Sequence, residues 1–136
     1  MAVPAEHLKR GVTGENLARE FLQGKGYQIL HSNWKVRQGE LDLICSKDGS
    51  LVFVEVKTRT SKDKGEPGEA LDQKKRSRLL KAARAYLTKH DLWHYPCRFD
   101  LISISISRFQ CTLEHMHNVI QYPQALGGVH THWQPW

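Results

Sequence analysis

Asp42, Glu55 and Lys57 are the residues of this chain whose types and spacing could do chemistry. They sit in two short segments, Gly39-Glu40-Leu41-Asp42-Leu43-Ile44 and Phe53-Val54-Glu55-Val56-Lys57, where charges interrupt apolar runs. Two carboxylates and an ammonium converging at the edge of a core form a site for a divalent cation with a proton-handling or charge-stabilising lysine beside it. Magnesium, or manganese in its place, suits such oxygen ligands: it keeps several waters, activates one of them and polarises the phosphoryl oxygen of a phosphodiester. The carbonyl of Val56 is a further possible ligand. The plainer alternative makes Glu55 and Lys57 the wet face of an amphipathic strand and pairs Asp42 with a nearby base. That alternative must explain why Val52, Val54 and Val56 line one face while Phe53 shares the other with the charges.

The elements that must position these groups follow from local pattern. Both segments have the length and aliphatic content of buried strands, and Lys47-Asp48-Gly49-Ser50 between them is a turn cluster, which predicts a hairpin. Strict alternation along the strands sets Asp42 with Glu40 on one face and Glu55 with Lys57 on one face. Upstream, Thr13 can cap a helix in which Leu17, Ala18, Phe21 and Leu22 recur at helical spacing before Gly24 and Gly26. Glu15, on the rim of its apolar face, either leans toward the sheet edge or simply complements the helix dipole. Tyr27 to Leu30 reads as a strand, and His31 to Arg37 as an extended, basic connector. Downstream, Asp72 is an N-cap for a basic amphipathic helix from Gln73 to His90, followed by a strand around Arg98 to Ile104 and a weaker one between Gln110 and Ile120.

Composition narrows the classes. Twenty Lys and Arg against fourteen Asp and Glu give a formal charge of +6, which favours a polyanionic partner. Four bases, Lys57, Arg59, Lys62 and Lys64, fall within eight positions at the start of a polar, glycine-containing loop that could meet a phosphate backbone. The helix after it carries Lys74, Lys75, Arg76, Arg78, Lys81 and Arg84 on its polar side, a stripe equally compatible with a nucleic-acid rail, a membrane-surface face or ordinary solvation. Cys45, Cys97 and Cys111 are odd in number and widely spaced, so they read as buried thiols of a cytoplasmic protein. No apolar stretch approaches the roughly 20 residues that span a bilayer, and the N-terminus lacks an apolar signal region. Nucleotide-loop, dinucleotide, serine-hydrolase and zincin motifs are absent. His130 and His132, in a tail with glycines and prolines, read as incidental rather than as metal ligands.

The succession of Glu15, Gly39-Glu40-Leu41-Asp42-Leu43-Ile44, Phe53-Val54-Glu55-Val56-Lys57-Thr58-Arg59, Lys75-x-x-Arg78-Leu79 and Arg98-Phe99-Asp100 closely resembles the bacterial YraN family over about residues 11 to 120. That family is similar to Holliday-junction resolvases and restriction-type nucleases. The resemblance implies an α/β fold with a restriction-endonuclease-like core, a central mixed β-sheet flanked by helices. It also implies Asp42 and Glu55 as metal ligands, Lys57 as the lysine that positions water or stabilises charge, and Glu15 as an added acid of the site. Lys75 and Arg78 match positions suited to phosphate contact, and Asp100 matches too, although a salt bridge with Arg98 explains it equally well. A homodimer is implied by the same resemblance.

The expectation is thus a loose arm over residues 1–12, a nuclease-like domain over 13–120 and an irregular tail over 121–136. The activity expected is magnesium- or manganese-dependent hydrolysis of structured or branched DNA, with phosphate contacts from Arg59, Lys62, Lys64, Lys75 and Arg78. One rival keeps the fold as a non-catalytic nucleic-acid-binding adaptor. Another uses the basic helix as a peripheral membrane or protein-interaction module.

Overall fold

The computed structural model describes residues 2–4, 13–60, 72–107 and 110–120. Six strands form one mixed sheet: β1 (Ala2–Pro4), β2 (Gln28–Val36), β3 (Gly39–Lys47), β4 (Ser50–Thr60), β5 (Cys97–Ile106) and β6 (Gln110–Met116). Their order across the sheet is β1-β6-β5-β4-β3-β2. Helix α1 (Gly14–Gly24) precedes β2, and α2 (Gln73–His90) connects β4 to β5. The arm expected to be loose contributes β1, which pairs antiparallel with β6; the rest of the arm lies outside the described residues, as does the tail.

The helices begin where their caps dictate. Thr13 Oγ1 accepts the Asn16 N–H at 3.2 Å, and Asp72 Oδ1 accepts the Lys75 N–H at 2.8 Å. Each satisfies a main-chain donor that the first helical turn would leave unpaired. The parallel pairing of β4 with β5, from Leu51 opposite Cys97 to Thr60 opposite Ile106, requires a crossover connection, and α2 lies in it. With a helix on either face, these central strands are apolar on both sides.

Two core layers result. Under α1 lie Leu17, Ala18 and Leu22 with Leu43, Cys45, Val52, Val54, Ile102 and Ile104. Under α2 lie Leu80, Ala83, Tyr86 and Leu87 with Leu41, Ile44, Phe53, Phe99 and Leu101. Val52 and Val54 therefore face one helix while Phe53, on the same side of β4 as Glu55 and Lys57, faces the other. All three cysteines are buried free thiols. Burial pushes Cys45 and Cys97 up to about 12, which keeps them protonated and unreactive.

Two expectations need correcting. The last strand stops at Met116; Asn118, with φ of 54°, turns the chain so that Ile120 enters the core under α2. The strict alternation expected of β3 also fails. Leu41 belongs to the layer under α2 and Leu43 to the layer under α1, although they are two positions apart. The change in alternation falls at Asp42, between Leu41 and Leu43, whose partners Trp34 and Ser32 flank Asn33, a residue with φ of 51°; the register shift between β2 and β3 lies further along, between Ile29 and His31. Glu40 and Asp42 accordingly do not share one face by simple pleating.

Candidate active site

Asp42 sits where the alternation of β3 changes, between Leu41 and Leu43. The β3–β4 ladder runs from Lys47 opposite Ser50 to Leu43 opposite Val54, and beyond it the Asp42 carboxylate replaces a main-chain acceptor: Oδ2 takes the Val56 N–H at 2.8 Å. Asp42 is thereby fastened next to Glu55, and the two carboxyl groups are in hydrogen-bond contact. Glu55 is only 8% exposed. Burial, then the bond to Asp42 and its charge, push the Glu55 carboxyl up to about 8, against the opposing pull of Lys75. Lys75 Nζ lies 3.1 Å from Glu55 Oε2. Two carboxyls in this contact need a proton or a cation between them, since like charges so close cannot both ionise without one. This donor set, made of hard oxygens and short of positive charge, fits a hard dication.

The structure brings together Asp42, Glu55 and Lys75. Lys57 is exposed and lies one pleat further along the Glu55 side of β4. Glu15 is in the first turn of α1, and its Oε2 accepts from Asn33 Nδ2 at 3.1 Å. Asn33 lies between Ser32 and Trp34, which pair with Leu43 and Leu41 on either side of Asp42. Gly14 makes that approach possible, because a Cβ there would meet Thr58 Oγ1. Arg78 and Lys75 are on the first turns of α2, and Arg59 is near the end of β4. Lys62 and Lys64 lie outside the described residues.

Asp100 occupies a different environment on the α1 side. Its Oδ1 accepts from Arg98 Nε at 3.0 Å and from the Asn118 N–H at 2.9 Å. Its Oδ2 meets Arg98 Nη2 at 3.2 Å and His115 Nε2 at 2.8 Å. Burial alone would raise this carboxyl, but the bonds from His115, Arg98 and Asn118 outweigh it and hold it below the ordinary carboxylate range. Arg98 also donates to the Tyr27 hydroxyl at 2.6 Å. Asp100, His115 and His117 form a possible metal-binding group, their ligand atoms lying within 4.8 Å of one another. The salt bridge foreseen between Asp100 and Arg98 is present. The histidine and Tyr27 contacts were invisible in the sequence because they join segments far apart in the chain.

Sequence reasoning also missed the Lys75–Glu55 ion pair and a cleft of about 370 Å³ between α2 and the β2–β3 turn. The concentration of bases in Lys35-Val36-Arg37 was the available signal for the cleft. Among the described residues, no helix is long and apolar enough to cross a membrane.

A mixed sheet with one helix on each face and an acidic hairpin at its centre defines an α/β protein with a restriction-endonuclease-like core. Comparison of the sequence with known proteins places it further. The uncharacterised protein family UPF0102 matches over residues 14–104, and the chain belongs to that family, the one also called YraN. A UPF0102 protein of Nitratidesulfovibrio vulgaris strain DP4 is 43% identical over 134 residues, covering 98% of this chain and 99% of that one. A relative in Lawsonia intracellularis is 40% identical over 126 residues, covering 93% and 96%. Another, in Dehalococcoides mccartyi, is 37% identical over 110 residues, covering 81% and 91%.

Proposed function

We propose that this protein is a metal-dependent endonuclease that hydrolyses phosphodiester bonds in structured or branched DNA. The observation that carries the reading is the Asp42–Glu55 pair: two carboxyls in contact, one of them buried, on adjacent strands beside the lysine of a Glu-x-Lys triplet. Asp42 and Glu55 would hold the magnesium or manganese ion, which when bound supplies Lewis-acid polarisation and an activated water. Every other part belongs to side chains. The Val56 N–H fixes one Asp42 oxygen and leaves the other for binding. Lys57, at the exposed end of the Glu55 row, offers its ammonium to the charge that builds on the phosphoryl oxygens. Water oxygen forms the new bond to phosphorus as the ester P–O bond breaks, the water gives up a proton to solvent, and the departing sugar oxygen takes one up to leave as a hydroxyl.

Arg59, Lys75 and Arg78, with Lys62 and Lys64, would contact flanking phosphates, so affinity should fall steeply with salt. Glu15 would be the added acid of the site, one of its oxygens accepting from Asn33 Nδ2. Two copies acting as a homodimer would serve the two symmetry-related strands of a junction. The test is incubation of the protein with four-way junction, flap, single-stranded and duplex DNA plus Mg²⁺ or Mn²⁺, beside Glu55→Gln and Lys57→Ala. The reading expects cleavage by the wild type and losses of about 100-fold or more in both variants, as for removal of a residue that stabilises the transition state. Equal cleavage by the variants would overturn it.

The Lys75–Glu55 ion pair supports a second reading, since the ammonium already offsets part of the acidic charge. In that reading the protein is a non-catalytic adaptor whose affinity for branched DNA survives Asp42→Asn and Glu55→Gln and which cleaves with neither ion.

A further inference from the structure

The nuclease reading leaves unexplained why bases gather at the β2–β3 turn, beside the first turns of α2. Lys35, Arg37, Lys75 and Arg78 all line the cleft there, with Glu40 as its acid. The cleft is built rather than incidental. Gly39 lets the turn press directly on the helix: a Cβ at that position would lie 2.6 Å from the Arg78 carbonyl oxygen. The cleft is also joined to the acidic pair, because Lys75 both lines it and reaches Glu55 at 3.1 Å. Beyond it a second hollow, sharing Gln38, is lined by Lys81 and Arg84. Lys75, Arg78, Lys81 and Arg84 follow one another at i, i+3, a row that winds about half-way round α2 as it advances roughly 14 Å at the helical rise.

We propose that this cleft is a backbone subsite that binds phosphodiesters of the nucleic acid flanking the cut, with Lys35 and Arg37 as binding residues and Glu40 as the group that limits affinity. The proposal rests on the nuclease reading for the identity of the polyanion. Four cations around a cleft with one acid attract phosphates, and the adjoining hollow with Lys81 and Arg84 continues the positive charge further along α2 for a chain of phosphates to follow. Glu40 lies near Lys35, 3.9 Å between charged atoms with both side chains largely exposed. A pair so solvated adds little to stability, so Lys35 is available to a better anion. A carboxylate facing the same phosphates repels them. Phosphate contacts set register without reading bases, so the subsite favours nucleic acid of any sequence.

Binding measured without turnover separates this proposal from the activity. Fluorescent single-stranded, duplex and four-way junction DNA are titrated with the protein in EDTA at several salt concentrations. Lys35→Ala and Arg37→Ala are each expected to weaken binding about three- to tenfold on every DNA and to lower the salt slope by about one. Glu40→Gln is expected to tighten it, and Lys89→Ala, at the other end of α2, to leave it unchanged. Wild-type affinity in Lys35→Ala and Arg37→Ala, with loss in Lys75→Ala and Arg78→Ala, would remove the subsite and leave the nuclease reading standing. Absence of binding by the wild type, or preference for phosphatidylserine vesicles over every DNA, would overturn both. Thermal unfolding of each variant shows whether a weakened binder is still folded.

Discussion

Glu55 and Asp100 are buried carboxyls one row apart on neighbouring central strands: Asp100 is opposite Val54 and Glu55 is opposite Leu101. They point to opposite faces and have opposite fates. Asp100 has its oxygens filled by Arg98, His115 and the Asn118 main chain, and its carboxyl is held low. Glu55 faces a second acid, receives one ammonium and is pushed up to about 8. Burial is common to both. What differs is whether the fold itself supplies enough positive charge and hydrogen bonds. A carboxyl that the fold fully satisfies is a structural anchor; one held beside another acid is poised for a cation the fold does not provide.

The comparison breaks most visibly at Asp100. Asp100→Ala strands the Arg98 guanidinium and removes the acceptor of His115, so it should cost about 3–5 kcal/mol, the range for breaking a buried pair on one side. Urea unfolding reads this directly, and a loss below 1 kcal/mol would mean that the network is not an anchor. Gly39→Ala comes next. It forces the turn off the Arg78 carbonyl and should destabilise by about 1–3 kcal/mol, as overpacking does, while weakening DNA binding through the cleft.

The smallest effect has the sharpest sign. Glu55 is raised in the folded state, so its stabilising contribution is complete below its ordinary unfolded range near 4.5 and is lost as pH rises through about 8. Asp100 is lowered, so its contribution is present above the unfolded range and is lost on acidification through its folded value. In EDTA, melting temperature should therefore fall between pH 5 and pH 9, and Glu55→Gln should flatten that alkaline arm without touching the acid arm. An unchanged alkaline slope in the variant would assign the effect elsewhere.

Most of the frame was legible because local rules agreed. Thr13 and Asp72 announced both helices, the Asp48-Gly49 turn announced the hairpin, and alternating valines announced one of the two apolar faces of β4. The site was legible only in part. Glu55, Lys57 and the bases of α2 follow from period alone, but Asp42 sits where the alternation of β3 changes between Leu41 and Leu43, beside Asn33, whose positive φ has no strong signature in a single asparagine. The family resemblance supplied Glu15 as a site acid, while its bond to Asn33 joins segments that no local pattern links. The cleft and the Asp100 network depend on pairings between distant segments, which no local pattern encodes.

The central claim is that Asp42 and Glu55 together hold one divalent ion, and Mn²⁺ binding followed by electron paramagnetic resonance tests it most directly. Titration at pH 8 of the wild type, Asp42→Asn and Glu55→Gln, with Asp100 intact in all three, separates this site from the histidine-containing group. The account predicts one bound Mn²⁺ whose affinity falls at least about tenfold in each single variant, a typical cost for altering a metal site. Mn²⁺ bound equally by all three proteins, or by none, would contradict it.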